Sequence, residues 1–215
     1  SAAKAIPDRS LALYELAQML VTPADLDMVL PEEDLGFLYR LGKVLLDLKK
    51  PELAARVFES IVGLKPPTVE PWLDSARYYI NQNEYDRADS ILHEAIQTMP
   101  DSVKLYLFRG AALEKDQRFH EATQVYESGL EHLPGEVKLY QYLGSGHEHE
   151  ERWDEAIEVY KRGLLHVEEP ARLHVSWGFA LGRQQRWQEA IAQYRVAVAT
   201  DSTHSDAFLR GGIAL

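Results

Sequence analysis

The chain has 215 residues, 46% of them hydrophobic and 27% charged, which suits one folded domain or one repeat array and excludes a disordered polymer. Its 34 acidic and 23 basic side chains give a formal net charge of -11, a surface that repels phosphate backbones and argues against nucleic acid as a general partner. The absence of cysteine removes disulfides, thiol catalysis and cysteine-ligated zinc, and leaves the compartment open, with cytoplasm slightly favoured over periplasm.

In chain order, the first ten residues are mixed and polar, unlike a secretory signal, and Ser1 reads as a processed start or an appended remnant. Residues 10–21 (SLALYELAQMLV) read as one amphipathic helix. Thr22 and Pro23 then supply a capping threonine and a proline at the first helical position, opening a short helix over 23–30. Pro31 opens the next helix. We expect residues 1–34 to form capping helices over the face of the first repeated segment; the alternative is a degenerate repeat. No apolar run in the chain approaches the roughly 18 residues that span a bilayer.

From Leu35 onward several residue series recur every 34 positions. Ala54, Ala88, Ala122, Ala156 and Ala190 form one; Gly42, Ala76, Gly110, Gly144, Gly178 and Gly212 form a second. Phe58, Leu92, Tyr126, Tyr160 and Tyr194 make a third, and Tyr85, Phe119, Trp153 and Trp187 a fourth. Pro66, Pro100 and Pro134 make a fifth, which lapses at Glu168 and Ser202. All share one register without insertion. The spacing predicts two amphipathic helices per unit, for example over 70–81 and 85–98, joined by short polar turns such as Gln117–Arg118 and Gln184–Arg186. Recurrent glycine inside a helix costs roughly 1 kcal/mol against alanine, so its persistence implies a helix crossing too close for a larger side chain. The aromatic residues after the turns, and the tryptophans generally, fall at packing positions. The prolines end one unit and force the chain out of helix before the next.

These series together resemble the tetratricopeptide repeat family, whose unit is 34 residues. The third unit reads YLFRGAALEKDQRFHEATQVYESGLEHLP and the fourth YQYLGSGHEHEERWDEAIEVYKRGLLHVE. The resemblance implies an all-α fold, a right-handed superhelical solenoid of helix-turn-helix units. Five units would occupy 35–68, 69–102, 103–136, 137–170 and 171–204, and 205–215 would be the first helix of a further, truncated one. Ser75 and Arg109 stand where the family has leucine, His147 where it has tyrosine, and His174 where it has tryptophan. In this family the first helices of successive units line a concave groove that binds a peptide segment. The groove positions would hold Tyr39, Lys43, Arg77, Lys104, Leu107, Phe108, Lys138, Gln141, Tyr142, Arg172, Val175, Phe179 and Arg183. Lys104, Lys138 and Arg172 share the second place of three consecutive units and should stack as a basic ladder. Basic groups beside aromatics suit a protein or peptide ligand with apolar anchors and some acidic side chains.

The chaperone-binding carboxylate clamp of some family members is not matched: its places hold Tyr39 and Lys43, Asp74, then Lys104 and Phe108, and Asp74 would repel a carboxylate. His147-Glu148-His149-Glu150-Glu151 invites a metal, yet residues two apart on a helix diverge and no His-Glu-x-x-His spacing occurs. It reads as a packed His147 and a solvated acidic turn, with Glu148 left as a groove candidate. Gly144-Ser145-Gly146 lacks the third glycine and the strand of a dinucleotide loop. We therefore expect no metal, no cofactor and no catalysis, and a non-catalytic adaptor. The alternatives are a homo-oligomeric scaffold that docks through the apolar residues Phe208, Leu209, Ile213 and Leu215 of the 205–215 end, or the interaction arm of a larger enzyme or export machine.

Overall fold

The computed structural model describes residues 9–28 and 34–200, and within them the secondary structure is entirely helical. The assignment of 205–215 to a further helix, and the docking surface placed there, lie outside these residues, as do Pro31 and the end of the 23–30 helix. The helices fall into two compact units, one up to Met99 and the other from Pro100.

Unit 1 begins with α1 (Arg9–Met19) and α2 (Pro23–Asp27). Helix α1 is shorter than the predicted 10–21. Its C-terminal carbonyls are taken by Lys50, whose Nζ donates to the carbonyls of Ala17, Gln18 and Leu20 at 2.9, 2.8 and 2.5 Å. A cation on the last carbonyls offsets the unsatisfied end of the helix. At α2 the expected cap is present: the Thr22 side chain accepts from the Asp25 amide, and the Asp25 carboxylate accepts from the Thr22 amide at 2.8 Å. Leu13, Ala17, Leu20 and Leu26 are buried in one apolar cluster with Leu38, Leu41 and Leu45 of α3 (Leu35–Asp47) and Val57, Phe58 and Ile61 of α4 (Pro51–Gly63). The N-terminal helices thus cover the first repeated helix pair. A second pair, α5 (Val69–Asn81) and α6 (Tyr85–Thr98), comes next.

Unit 2 holds three further pairs: α7 (Val103–Lys115) with α8 (Phe119–His132), α9 (Val137–His149) with α10 (Trp153–Gly163), and α11 (Ala171–Arg183) with α12 (Trp187–Thr200). In each pair the two helices pack on each other, and the first helix of a pair also packs on its neighbours in the unit, α7 on α9 and α9 on α11.

The close crossings predicted from the glycines are present, and the partner is the aromatic residue 16 positions later. A Cβ added to Gly110 would lie 2.1 Å from Tyr126, one on Gly144 2.3 Å from Tyr160, one on Gly178 2.7 Å from Tyr194, and one on Gly42 2.8 Å from Phe58. Where the partner is the smaller Leu92, the crossing residue is Ala76, and both are fully buried. Glycine therefore accompanies an aromatic ring, and alanine accompanies leucine.

The turn inside every helix pair uses the same geometry. Lys49, Asn83, Gln117, Glu151 and Gln185, 34 apart, adopt left-handed backbone with φ between 57° and 62°. The amide of the residue after each reaches back five residues: Lys50 to Leu45, Glu84 to Tyr79, Arg118 to Leu113, Arg152 to His147 and Arg186 to Leu181, all at 2.9 Å. This is the Schellman ending of a helix, built without glycine.

The departures from the family pattern have distinct fates. Ser75 is fully buried and its hydroxyl has no partner. His174 compensates for the missing tryptophan by bonding Gln193 at 2.8 Å and stacking on Trp177. The expectation that every tryptophan packs holds for Trp72, buried and donating to the Pro66 carbonyl at 2.9 Å, but not for Trp187, which is 60% exposed. In the preceding pairs the equivalent ring is covered by the last turn of the next first helix: His149 stacks on Phe119, and Arg183 lies over Trp153.

Candidate functional site

The predicted groove residues lie on the first helix of each pair, and the two units treat them differently. In unit 1 the three candidates converge on one carboxylate. Tyr39 of α3 donates to Asp74 of α5 at 2.7 Å, Lys43 of α3 lies 3.3 Å from the same oxygen, and Arg77 of α5 binds the other oxygen. The Lys43 ammonium also sits 5.0 Å above the Tyr39 ring. Burial, then the bond to Asp74, raises the Tyr39 pKa above its ordinary value, while contact with Tyr39 raises that of Lys43. Asp74 entered the sequence argument only as a source of repulsion; its role as the hub of this face depends on where α3 and α5 meet, which the sequence does not show.

In unit 2 the first helices present a different face. Tyr142 of α9 and Phe179 of α11 are 42% and 46% exposed, high values for large apolar side chains. Leu107 and Phe108 of α7, Gln141 of α9 and Val175 of α11 are half-buried. Gln141 reaches Ser176 of α11 at 3.5 Å, and the Tyr142 ring lies 5.6 Å from that of Tyr126. Arg183 is held over Trp153, 5.1 Å from the ring centre, where it can supply cation–π attraction.

Two carboxylates 34 residues apart complete this face. Tyr126 donates to Glu114 at 3.1 Å and Tyr160 to Glu148 at 2.8 Å, so each pair ties the second helix of a repeat to the last turn of its first. Burial raises the pKa of both glutamates above the ordinary carboxylate value, more than the tyrosine bonds lower it. Both tyrosines are shifted upward by burial and by the neighbouring glutamate. Glu114 was absent from the predicted set, although its 34-residue spacing from Glu148 is visible in the sequence.

The basic ladder is split. Lys138 of α9 and Arg172 of α11 line one cleft of about 710 Å³ where the α8–α9 and α10–α11 connections run side by side; Lys104 does not line it. His132 and His166 add nitrogen donors and acceptors, and Glu136, Glu168 and Glu169 add negative charge. Neither Lys138 nor Arg172 has an ion-pair partner among the described residues, despite those three glutamates. Other cations of the chain are paired, for example Arg162 with Glu127 at 2.7 Å and Arg186 with Glu189 at 2.7 Å.

The two central histidines do not converge. His147 is half-buried with its Nδ1 enclosed and unpartnered, whereas His149 is exposed and stacked on Phe119. Burial, and next the charge of Arg152, lowers the His147 pKa. Among the described residues no three His, Asp or Glu side chains are placed to hold a metal ion, and no helix is long and apolar enough to cross a membrane.

Comparison with known proteins agrees with this architecture. A tetratricopeptide repeat model matches residues 35–68, the first helix pair, and the model of the Suppressor of forked protein (Suf) family matches residues 60–196, more than half of the chain. No curated protein sequence matches the chain significantly. Among solved structures, MamA 41-end from Desulfovibrio magneticus RS-1 is 19% identical with a TM-score of 0.57, the match covering 80% of this chain and 97% of that one. TTC0263, a thermophilic TPR protein in Thermus thermophilus, is 19% identical with a TM-score of 0.53, covering 82% of this chain and 96% of that one. At these identities the likeness is one of fold. The helix pairs, the 34-residue register and the family matches together show that the chain belongs to the tetratricopeptide repeat proteins, and among them to the Suppressor of forked protein family.

Proposed function

We propose that the chain is a protein-interaction module that binds a partner segment along the concave groove formed by the first helices of unit 2. Repeat scaffolds of this kind present extended surfaces, and their chemistry resides in the residues grafted on them rather than in the fold. The observation that carries the reading is the exposure of Tyr142 and Phe179 on α9 and α11, the helices that also carry Lys138 and Arg172, which have no ion-pair partner among the described residues. Aromatic anchors with cations at one rim suit an extended or helical segment that carries an apolar side chain and an acidic one. The interaction is one of shape and charge, and no step of it requires catalysis.

The test is to pan a displayed random-peptide library against the chain and against Lys104→Glu/Lys138→Glu/Arg172→Glu. The parent should enrich sequences that pair an aromatic or aliphatic residue with Asp or Glu, and the charge-reversed variant should lose them while its circular dichroism stays helical. Enrichment of the same sequences on both would refute the groove reading. If neither enriches any sequence and the chain sediments as an oligomer, self-assembly replaces it as the function.

A further inference from the structure

The Asp74 hub of unit 1 has the form of a filled receptor. A carboxylate bound by a tyrosine hydroxyl, an ammonium and a guanidinium from two helices is how an acidic side chain of a partner would be held. Here the carboxylate belongs to the chain itself. Its side chain is 12% exposed, while those of Lys43 and Arg77 are 54% and 52% exposed. The donors thus reach solvent far more than the carboxylate they hold.

We infer that Tyr39, Lys43 and Arg77 form a carboxylate seat on the α3–α5 face and that Asp74 fills it, which makes Asp74 a specificity-determining residue. An incoming acid gains little there, because each bond it makes replaces one that Asp74 loses. Acidic groups of a partner are then read by Lys138 and Arg172 in unit 2 and not by the α3–α5 face of unit 1. This second statement rests on the groove reading above; the seat itself does not.

The seat is tested with acetate as the probe. Asp74→Ala removes the internal carboxylate and leaves three donors around the vacated volume. Its melting temperature should fall below that of the parent. About 0.1 M sodium acetate should recover part of the loss, a rise of roughly 2 °C or more over sodium chloride of equal ionic strength, because a ligand that binds the folded state stabilises it by mass action. The parent should respond to the two salts alike. Equal response of Asp74→Ala to acetate and chloride would overturn the seat. If Asp74→Ala does not fold, Asp74→Asn carries the same comparison: it keeps the shape, loses the charge, and should shift with acetate more than the parent does.

A fluorescein-labelled peptide of alternating glutamate and leucine separates the two readings. With the seat confirmed by acetate, Asp74→Ala should bind this peptide several-fold more tightly than the parent, and Lys43→Gln with Arg77→Gln should cancel the gain. Unchanged affinity would refute the specificity role. A parent that does not bind the peptide at all would count against the unit 2 groove, while the acetate comparison still decides the seat.

Discussion

The glycine-to-ring crossings make the most exacting prediction about this fold. In Gly144→Ala the new methyl would meet Tyr160 at Cε1, Cζ and Oη, at 2.3, 2.4 and 2.5 Å, where ordinary contact begins near 3.4 Å. The ring would have to withdraw by about 1 Å to restore that contact. It has little freedom to do so, being 1% exposed with its hydroxyl bonded to Glu148. Overpacking of this kind costs about 1–3 kcal/mol, against about 1 kcal/mol gained from alanine's helix propensity. The net expectation is a destabilisation of up to about 2 kcal/mol, or a fall in melting temperature of up to roughly 8 °C, while Gly63→Ala should gain. The chain already contains the alternative solution in Ala76 with Leu92. Tyr160→Leu alone should destabilise by opening a cavity, but in the Gly144→Ala background it should cost far less. The double-mutant cycle should return a favourable coupling of about 1–3 kcal/mol. Gly63→Ala is the control, since a Cβ there meets nothing within 4 Å. Urea denaturation followed by circular dichroism measures all four variants. A Gly144→Ala that is as stable as Gly63→Ala, or a cycle with no coupling, would refute the steric account.

Other consequences can be measured alongside. Ser75→Ala should stabilise the chain by about 1 kcal/mol, because it removes a fully buried hydroxyl that has no partner; a loss of stability in thermal denaturation would mean that the hydroxyl is satisfied. Glu151→Gly should raise stability by about 0.5–1 kcal/mol, since a residue at φ 57° gains from losing its Cβ; an unchanged urea midpoint would contradict this. His147 is held neutral by burial, so its folded pKa lies below its unfolded value near 6.5. Stability tied to it is present above pH 6.5 and lost as pH falls through the folded pKa. His147→Tyr should therefore gain on the parent more at pH 5 than at pH 8. Glu114 and Glu148 act in the opposite sense: their folded pKa values lie above the unfolded ones, so the stability tied to them is present below the unfolded pKa and lost as pH rises through the folded pKa. The comparison must therefore be made between parent and variant at each pH.

The helix pairs were legible because packing imposes small and large residues at fixed intervals, and a period of 34 carries both through the chain. The features that sequence could not show have two causes. One is backbone energetics: five left-handed turns are occupied by Lys, Asn, Gln, Glu and Gln, so the usual glycine mark of a Schellman ending is missing. The other is that charge depends on neighbours. Lys43, Arg77, Lys138 and Arg172 are all cations at groove positions of the sequence, yet the first two are engaged by Asp74 and the last two share a cleft without an ion-pair partner among the described residues. Exposure is likewise decided by adjacency. Trp153 and Trp187 occupy equivalent places, yet the first lies under Arg183 and the second is 60% exposed.

The pairing of position 144 with 160, and of 76 with 92, also bears on how such a chain can lengthen. Both members of each pair belong to a single helix-turn-helix segment. A duplication of 34 residues in frame therefore copies a ring together with the notch that receives it, whereas recombination inside the turn that joins the first helix of the 76/92 segment to the second helix of another would place an aromatic residue against alanine. Growth or loss of whole segments is mechanically neutral at these crossings, and chimeras cut between 134 and 137 should keep every crossing intact, where a cut between 149 and 153 that brings in the second helix of the 76/92 segment would set Leu92 against Gly144 and leave a void.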